Sequence, residues 1–162
     1  MKLVIIGAIG YGKVVADIAL RCGYTEIVFL DDNESVKTCM GYPVVGKLCT
    51  AVNHLGSDFF VAIGNPLTRE RVQATIMEKG LRLATLIHPN SVVAETVSID
   101  SGSVVMAGAI INPDSKIGKG CIVNTGASVD HDDVIEDFVH LAVGSHLAGT
   151  VRVGKRTWVG GA

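Results

Sequence analysis

Four consecutive residues, Asp130-His131-Asp132-Asp133, bring an imidazole and three carboxylates into one short segment. Carboxylates beside an imidazole favour its protonated form and can fix which ring nitrogen holds the proton. That pairing suits a general base that removes a proton from an amine or hydroxyl and then carries the charge. The competing reading is a solvated acidic corner without chemistry. His140 and His146 follow nearby, whereas His54 and His88 lie outside this stretch and read as surface or junction positions. Histidines gathered on one wall can also bind Zn²⁺. His140 and His146 are six residues apart, however, and fall on adjacent faces, so ligation would need a neighbouring subunit and no metal site is expected.

A second constellation lies near the N-terminus. The apolar run Lys2 to Ile6 leads into Gly7-Ala8-Ile9-Gly10-Tyr11-Gly12-Lys13. Glycines let the backbone approach a phosphate, and a following helix start supplies N–H groups and partial positive charge. The spacing is G-x-x-G-x-G rather than the G-x-G-x-x-G of dinucleotide enzymes, and a tight turn with no ligand explains it too. Asp31 and Asp32 close a second apolar run, where ribose or base contacts commonly sit, and a solvated turn explains them nearly as well. Gly64 and Asn65 close a further one. Three strand ends on one carboxyl edge predict a nucleotide crevice.

The element that must position His131 is written in the spacing of the second half. Counting in sixes from Val93 gives Ile99, Val105, Ile111, Ile117, Val123, Val129, Ile135, Leu141, Leu147, Val153 and Val159, all aliphatic. Two places before each, the residue is mostly small: Ser91, Ser103, Ala109, Ser115, Cys121, Ala127, Ser145 and Thr157, with Val97, Asp133, Val139 and Val151 bulkier. A period of six fits a hexapeptide β-helix, with the aliphatic side chain inside a narrow prism and the small one at its corner. Three hexads per coil would make four coils, roughly 19 Å tall at about 4.8 Å per coil. A β-sandwich would need longer loops and would lose this register.

The first half alternates strands and helices, which implies a parallel sheet. Strands are expected at Lys2–Ile6, Glu26–Leu30, Pro43–Val45, Asp58–Ile63 and Leu81–Ile87, with helices over Lys13–Cys22, Lys47–Leu55 and Thr68–Lys79. The fold class is therefore α/β plus β: a small Rossmann-like domain over 1–87, then a left-handed parallel β-helix over 88–162, with His88-Pro89-Asn90 at the junction. A chain of 162 residues with 48% apolar content can build both cores. No apolar run reaches the roughly 20 residues a bilayer crossing needs, and Met1–Ile9 lacks the pattern of a signal peptide. A net charge of −2 and only eight aromatic residues argue against nucleic acid as a partner. Cys22, Cys39, Cys49 and Cys121 form no C-x-x-C pair and read as reduced packing residues of a cytoplasmic protein.

These segments resemble the sugar acetyltransferases of the PglD/NeuD type, which join a Rossmann-like sugar-nucleotide domain to a left-handed hexapeptide β-helix. The likeness rests on Gly7–Lys13, Gly23-Tyr24, Phe29–Asp32, Ala62–Asn65, Leu86–Pro89, and Asn124-Thr125-Gly126 through Val129–Asp132. It continues through Phe138–His140, Val143-Gly144 and Ala148-Gly149. The resemblance implies a homotrimer with acetyl-CoA between neighbouring coils. It implies His131 as general base with Asp132 as its acidic partner, where the family more often has Glu. It places His140 near the thioester, Asn124 in the same groove and the Gly149 N–H on the oxyanion. Gly7, Gly10, Tyr11, Gly12, Lys13, Asp31, Asp32, Gly64 and Asn65 would bind a nucleotide-linked sugar. The expected activity is direct acetyl transfer from acetyl-CoA to a sugar amino group, with no metal. The alternatives are O-acetylation of sialic acid or another sugar, a non-catalytic nucleotide-sugar-binding scaffold, and a metal-dependent hydratase on the same solenoid. Two departures stand out. Ile9 and Tyr11 replace the family's usual Gly and His. The sequence also stops inside a hexad at Gly160-Gly161-Ala162, where relatives continue, so it reads as truncated.

Overall fold

The run Lys2–Ile6 becomes a central strand of its sheet, with Leu3, Val4, Ile5 and Ile6 all buried. In the computed structural model, which describes residues 1–160, the chain divides into two compact units, Met1–Ala84 and Thr85–Ala162. The interrupted hexad at Gly161-Ala162 lies outside the described residues.

The first unit holds β1 (Lys2–Ile6), α1 (Gly10–Arg21), β2 (Glu26–Leu30), β3 (Thr38–Cys39), β4 (Tyr42–Gly46), a 3₁₀ helix over Leu48–His54, β5 (Asp58–Val61), α2 (Pro66–Glu78) and β6 (Arg82–Leu83). The strand order is β3-β4-β2-β1-β5-β6. All neighbours are parallel except the β3–β4 pair. One face packs Val4, Ile6, Val28, Leu30, Phe59 and Val61 against Val72 and Ile76 of α2 and Ala51 of the 3₁₀ helix. Burial of each such side chain contributes about 1.5–3 kcal/mol. Helix α1 buries Val15, Ala16, Ile18 and Ala19 and ends where Gly23 takes a φ of +92°.

Three expectations change here. Helix α1 starts at Gly10, so the last glycines of the turn are already helical. A hairpin precedes β4 that no pattern announced. The strand expected over Leu81–Ile87 is two: Arg82–Leu83 joins β5, whereas Leu86–Ile87 pairs with Val104–Val105 in the second unit. Ile87 lies six residues before Val93, so the hexad phase begins one step earlier than the count from Val93.

The second unit is a parallel β-helix with 18 residues per coil. One wall is Leu86–Ile87, Val104–Val105, Ile122–Val123, His140–Leu141 and Trp158–Val159. The second is Val92–Val93, Ile110–Ile111 and Ser128–Val129, extended by a bridge from Ser128 to His146. The third is Ser98–Ile99, Lys116–Ile117, Val134–Ile135 and Arg152–Val153. The hexad aliphatics fill the prism, with Val105, Ile111, Ile117, Val123, Val129, Ile135 and Leu141 all at 2% exposure or less.

The corner residues are small for a second reason besides space. Ser103 Oγ accepts from Cys121 N at 2.8 Å and donates to Gly118 O at 2.7 Å. Ser115 Oγ likewise accepts from Asp133 N and donates to Asp130 O at 2.6 Å. Short polar side chains thereby satisfy backbone groups that the turns leave unpaired between coils. From Gly102 onward each turn also places a residue at positive φ, again every sixth position: Gly102, Gly108, Asp114, Gly120, Gly126, Asp132, Phe138, Gly144, Thr150 and Arg156.

Candidate functional sites on the two units

The glycine turn is built by two close approaches. Gly7 has a φ of +104°, and a Cβ there would stand 2.6 Å from the Ala62 carbonyl oxygen. A Cβ on Gly12 would strike the Gly7 carbonyl oxygen and crowd the Phe29 ring. Both positions need glycine so that β1, β5 and α1 can converge. Asp31 locks the turn from the side: its Oδ2 accepts from Ala8 N at 2.8 Å and its Oδ1 from Asn33 N at 2.8 Å. Asp32 Oδ1 accepts from Leu48 N at 3.0 Å, holding the 3₁₀ helix against the strand end.

These strand ends border a cavity of about 560 Å³. Gly7, Gly10, Tyr11, Asp31, Asp32 and Gly64 line it, whereas Gly12, Lys13 and Asn65 do not. Asn65 instead caps α2, its Oδ1 accepting from Thr68 N at 3.0 Å. Apolar lining comes from Ile9, Leu30, Leu48, Ile63 and Val72. Thr68, Arg71 and Thr75 of α2 complete the wall, and no motif marked them. Their spacing of three and four along one helix was the available signal. Arg69, fully buried, donates to the Ile63 and Gly64 carbonyl oxygens at 3.1 and 2.8 Å. It thereby shapes the loop that carries Gly64.

In the second unit the turn Asp130-His131-Asp132 stacks beneath Ala148-Gly149-Thr150, with Thr150 N donating to His131 O at 2.9 Å. His131 Nδ1 lies 2.8 Å from Asp132 Oδ2. Nδ1 therefore holds the shared proton and leaves Nε2 as the acceptor. That hydrogen bond, with Asp130, Asp132 and Asp133 adding negative charge, holds the His131 pKa above the ordinary histidine range. The imidazole lies against Gly149, where a Cβ would stand 2.5 Å from Nε2. The three carboxylates thus divide their labour. Asp130 Oδ1 accepts from His131 N and from Asn112 Nδ2. Asp133 is fully buried at the prism corner, accepting from Val151 N at 2.7 Å and Asp130 N at 3.1 Å. Only Asp132 touches the ring.

Asn124 and His140 also meet. Asn124 Oδ1 accepts from Thr125 N at 2.8 Å, which orients the amide so that Nδ2 lies 3.0 Å from His140 Nε2. Trp158, one coil on, covers the His140 ring with centroids 4.4 Å apart. Sequence reading missed Trp158, though adding 18 to 140 finds it. His146 sits on another wall, with Nδ1 2.7 Å from Ser128 Oγ. Among the described residues no group of three or more His, Cys, Asp or Glu is placed to hold a metal ion, and no helix is long and apolar enough to cross a membrane.

A cavity at the strand ends of an α/β unit and an acid-paired histidine on a hexapeptide solenoid are features found together in two-unit sugar acyltransferases. The profile of the PglD N-terminal domain matches residues 2–76. GDP-perosamine N-acetyltransferase of Escherichia coli O157:H7 is 32% identical, across 96% of this chain and 74% of its own length. The acetyltransferase domain of PglB from Neisseria gonorrhoeae FA1090, in complex with acetyl coenzyme A, superposes with a TM-score of 0.94 at 42% identity. That match covers 99% of this chain and 79% of the neighbour. A histidine-to-asparagine mutant of perosamine N-acetyltransferase from Caulobacter crescentus, in complex with CoA and GDP-perosamine, gives 0.92 at 37% identity, covering 98% and 76%. The chain belongs to the PglD-type, hexapeptide-repeat sugar acetyltransferases, with a left-handed β-helix after a Rossmann-like unit, and is an acyltransferase.

Proposed function

We propose that this protein transfers the acetyl group of acetyl-CoA directly to an amino group on a nucleotide-linked sugar. The observation that carries the mechanism is the 2.8 Å contact between His131 Nδ1 and Asp132. With that nitrogen occupied, His131 Nε2 accepts the proton of the attacking amine and returns it to the departing CoA sulfur. Asp132 stabilises the imidazolium formed in between. The Gly149 N–H makes no backbone hydrogen bond among the described residues and is assigned to the charge developing on the thioester oxygen. Asn124 and His140 are assigned to the acetyl-CoA arm.

Gly7, Gly10, Tyr11, Asp31, Asp32 and Gly64 are assigned to the nucleotide sugar. Asp31 acts by holding the turn, since both of its oxygens already accept backbone N–H groups. The relatives that bind GDP-perosamine and CoA support an amine acceptor over a hydroxyl. The assembly assigned is a homotrimer in the cytoplasm, checked by a solution mass of about three chains in light scattering.

The test is CoA release from acetyl-CoA with GDP-perosamine and other amino-sugar nucleotides as acceptors. His131→Ala is expected to lose about 10²–10⁴-fold in turnover, the usual worth of a positioned general base, while remaining folded. Full turnover in that variant would remove His131 from the chemistry, and release only with hydroxyl acceptors would replace N- by O-acetylation.

A further inference from the structure

Tyr11 is at odds with its surroundings. Its ring borders the N-terminal cavity, yet its hydroxyl oxygen is closed off from solvent and has no hydrogen-bond partner among the described residues. Burying a hydroxyl without an acceptor forfeits its hydration and returns nothing, and native proteins keep few such groups. Burial, only partly offset by the nearby Arg69 guanidinium, pushes the hydroxyl pKa well above the ordinary tyrosine range. The group therefore stays an O–H donor throughout the neutral and mildly alkaline range.

Donors gather at the helix start beside it. Helix α1 begins without a side-chain cap, so its first-turn N–H groups have no side-chain acceptor. Arg71 places a cation on the cavity wall, both Asp31 oxygens are engaged by backbone N–H groups, and Asp32 Oδ1 accepts from Leu48 N. The glycine turn, the uncapped helix start and Arg71 together offer donors to an anionic acceptor.

We infer that Tyr11 is a specificity-determining residue. On ligand binding its side chain turns about the Cα–Cβ bond and its hydroxyl donates to a phosphate oxygen of the nucleotide sugar. The inference rests on the nucleotide-sugar reading above and adds a role for the hydroxyl itself. The free protein holds the hydroxyl in an unfavourable place, and binding releases it. Rotation between staggered side-chain positions needs no backbone change. A tyrosine so placed favours ligands carrying a diphosphate over those without one.

The role predicts opposite signs for two measurements on Tyr11→Phe. Without ligand, the variant should melt at the wild-type temperature or above it, because the lost oxygen made no bond. With GDP-perosamine or a UDP-linked amino sugar in titration calorimetry, its affinity should fall about tenfold to hundredfold, the worth of a hydrogen bond to a charged acceptor. A lower melting temperature without ligand would show that the hydroxyl is already partnered and would overturn the inference. Equal affinity in variant and wild type would overturn it too while leaving the nucleotide-sugar reading intact. Absence of binding to both compounds in the wild type would overturn that reading and the Tyr11 role with it.

Discussion

Gly149→Ala puts the proposed catalytic corner under a defined strain. The added Cβ would lie 2.5 Å from His131 Nε2, 2.8 Å from Cε1 and 3.0 Å from Cδ2. Ordinary contact between such atoms is about 3.5 Å, so the ring must retreat by about 1 Å. It can do so, because the imidazole is more than half exposed and swings on a single side chain. The fold should therefore survive. Catalysis should not, since about 1 Å of misplacement of a reacting group costs on the order of 10²-fold. The retreat also pulls Nδ1 away from Asp132, so the His131 pKa should fall back toward its ordinary value. Steady-state acetyl transfer, the melting temperature and an NMR titration of His131 together read all three. A variant with wild-type turnover would refute the assignment of Nε2 as the proton acceptor. A variant that unfolds would show that the ring cannot move as argued.

Asp132→Asn removes the charge that holds His131 above the ordinary range. The proposed base would work in its neutral form, so kcat/KM should rise with pH through the His131 pKa and level off above it. The acidic limb in Asp132→Asn should move to lower pH, and a pH–rate profile whose limb stays put would discard the Asp132 role. Asp133→Ala leaves the Val151 and Asp130 N–H groups without their acceptor. At about 1–3 kcal/mol per buried unpaired group, unfolding in denaturant should show a loss of roughly 2–6 kcal/mol, whereas a loss below about 1 kcal/mol would mean that water replaces the carboxylate.

The solenoid was legible because one rule repeats: a prism admits an aliphatic at every sixth place and nothing else. That rule even reaches Ile87, yet the pattern of the preceding residues drew Leu86–Ile87 into the other sheet. A run such as Leu81–Ile87 is apolar enough for either partner, and only pairing decides. The 3₁₀ helix over Leu48–His54 was visible as a helical segment, but its tightness depends on Asp32 holding Leu48 N, a contact across 16 residues. In the segment around His131 the sequence showed three equivalent carboxylates. Their different work depends on which way each turn residue faces: Asp132 sits at a φ of 58° beside the ring, while Asp133 occupies the corner where its neighbours in the pattern are mostly small. The cavity wall from α2 carried only a shared helix face, since Thr68, Arg71 and Thr75 are ordinary helix-surface residues until a crevice lies beside them.

An 18-residue coil has a consequence for how this enzyme class can change. The groups around His131 come from its own rung and from the next, with Asn112 one rung earlier and Gly149 one rung later. Inserting a complete rung beyond Trp158 would lengthen the rod and leave the contacts around His131 and between His140 and Trp158 unchanged. Losing or gaining a single hexad would rotate all later rungs by one wall and send Trp158 away from His140. Variation by whole turns of the rod is thus open to the protein, and variation by thirds of a turn is closed.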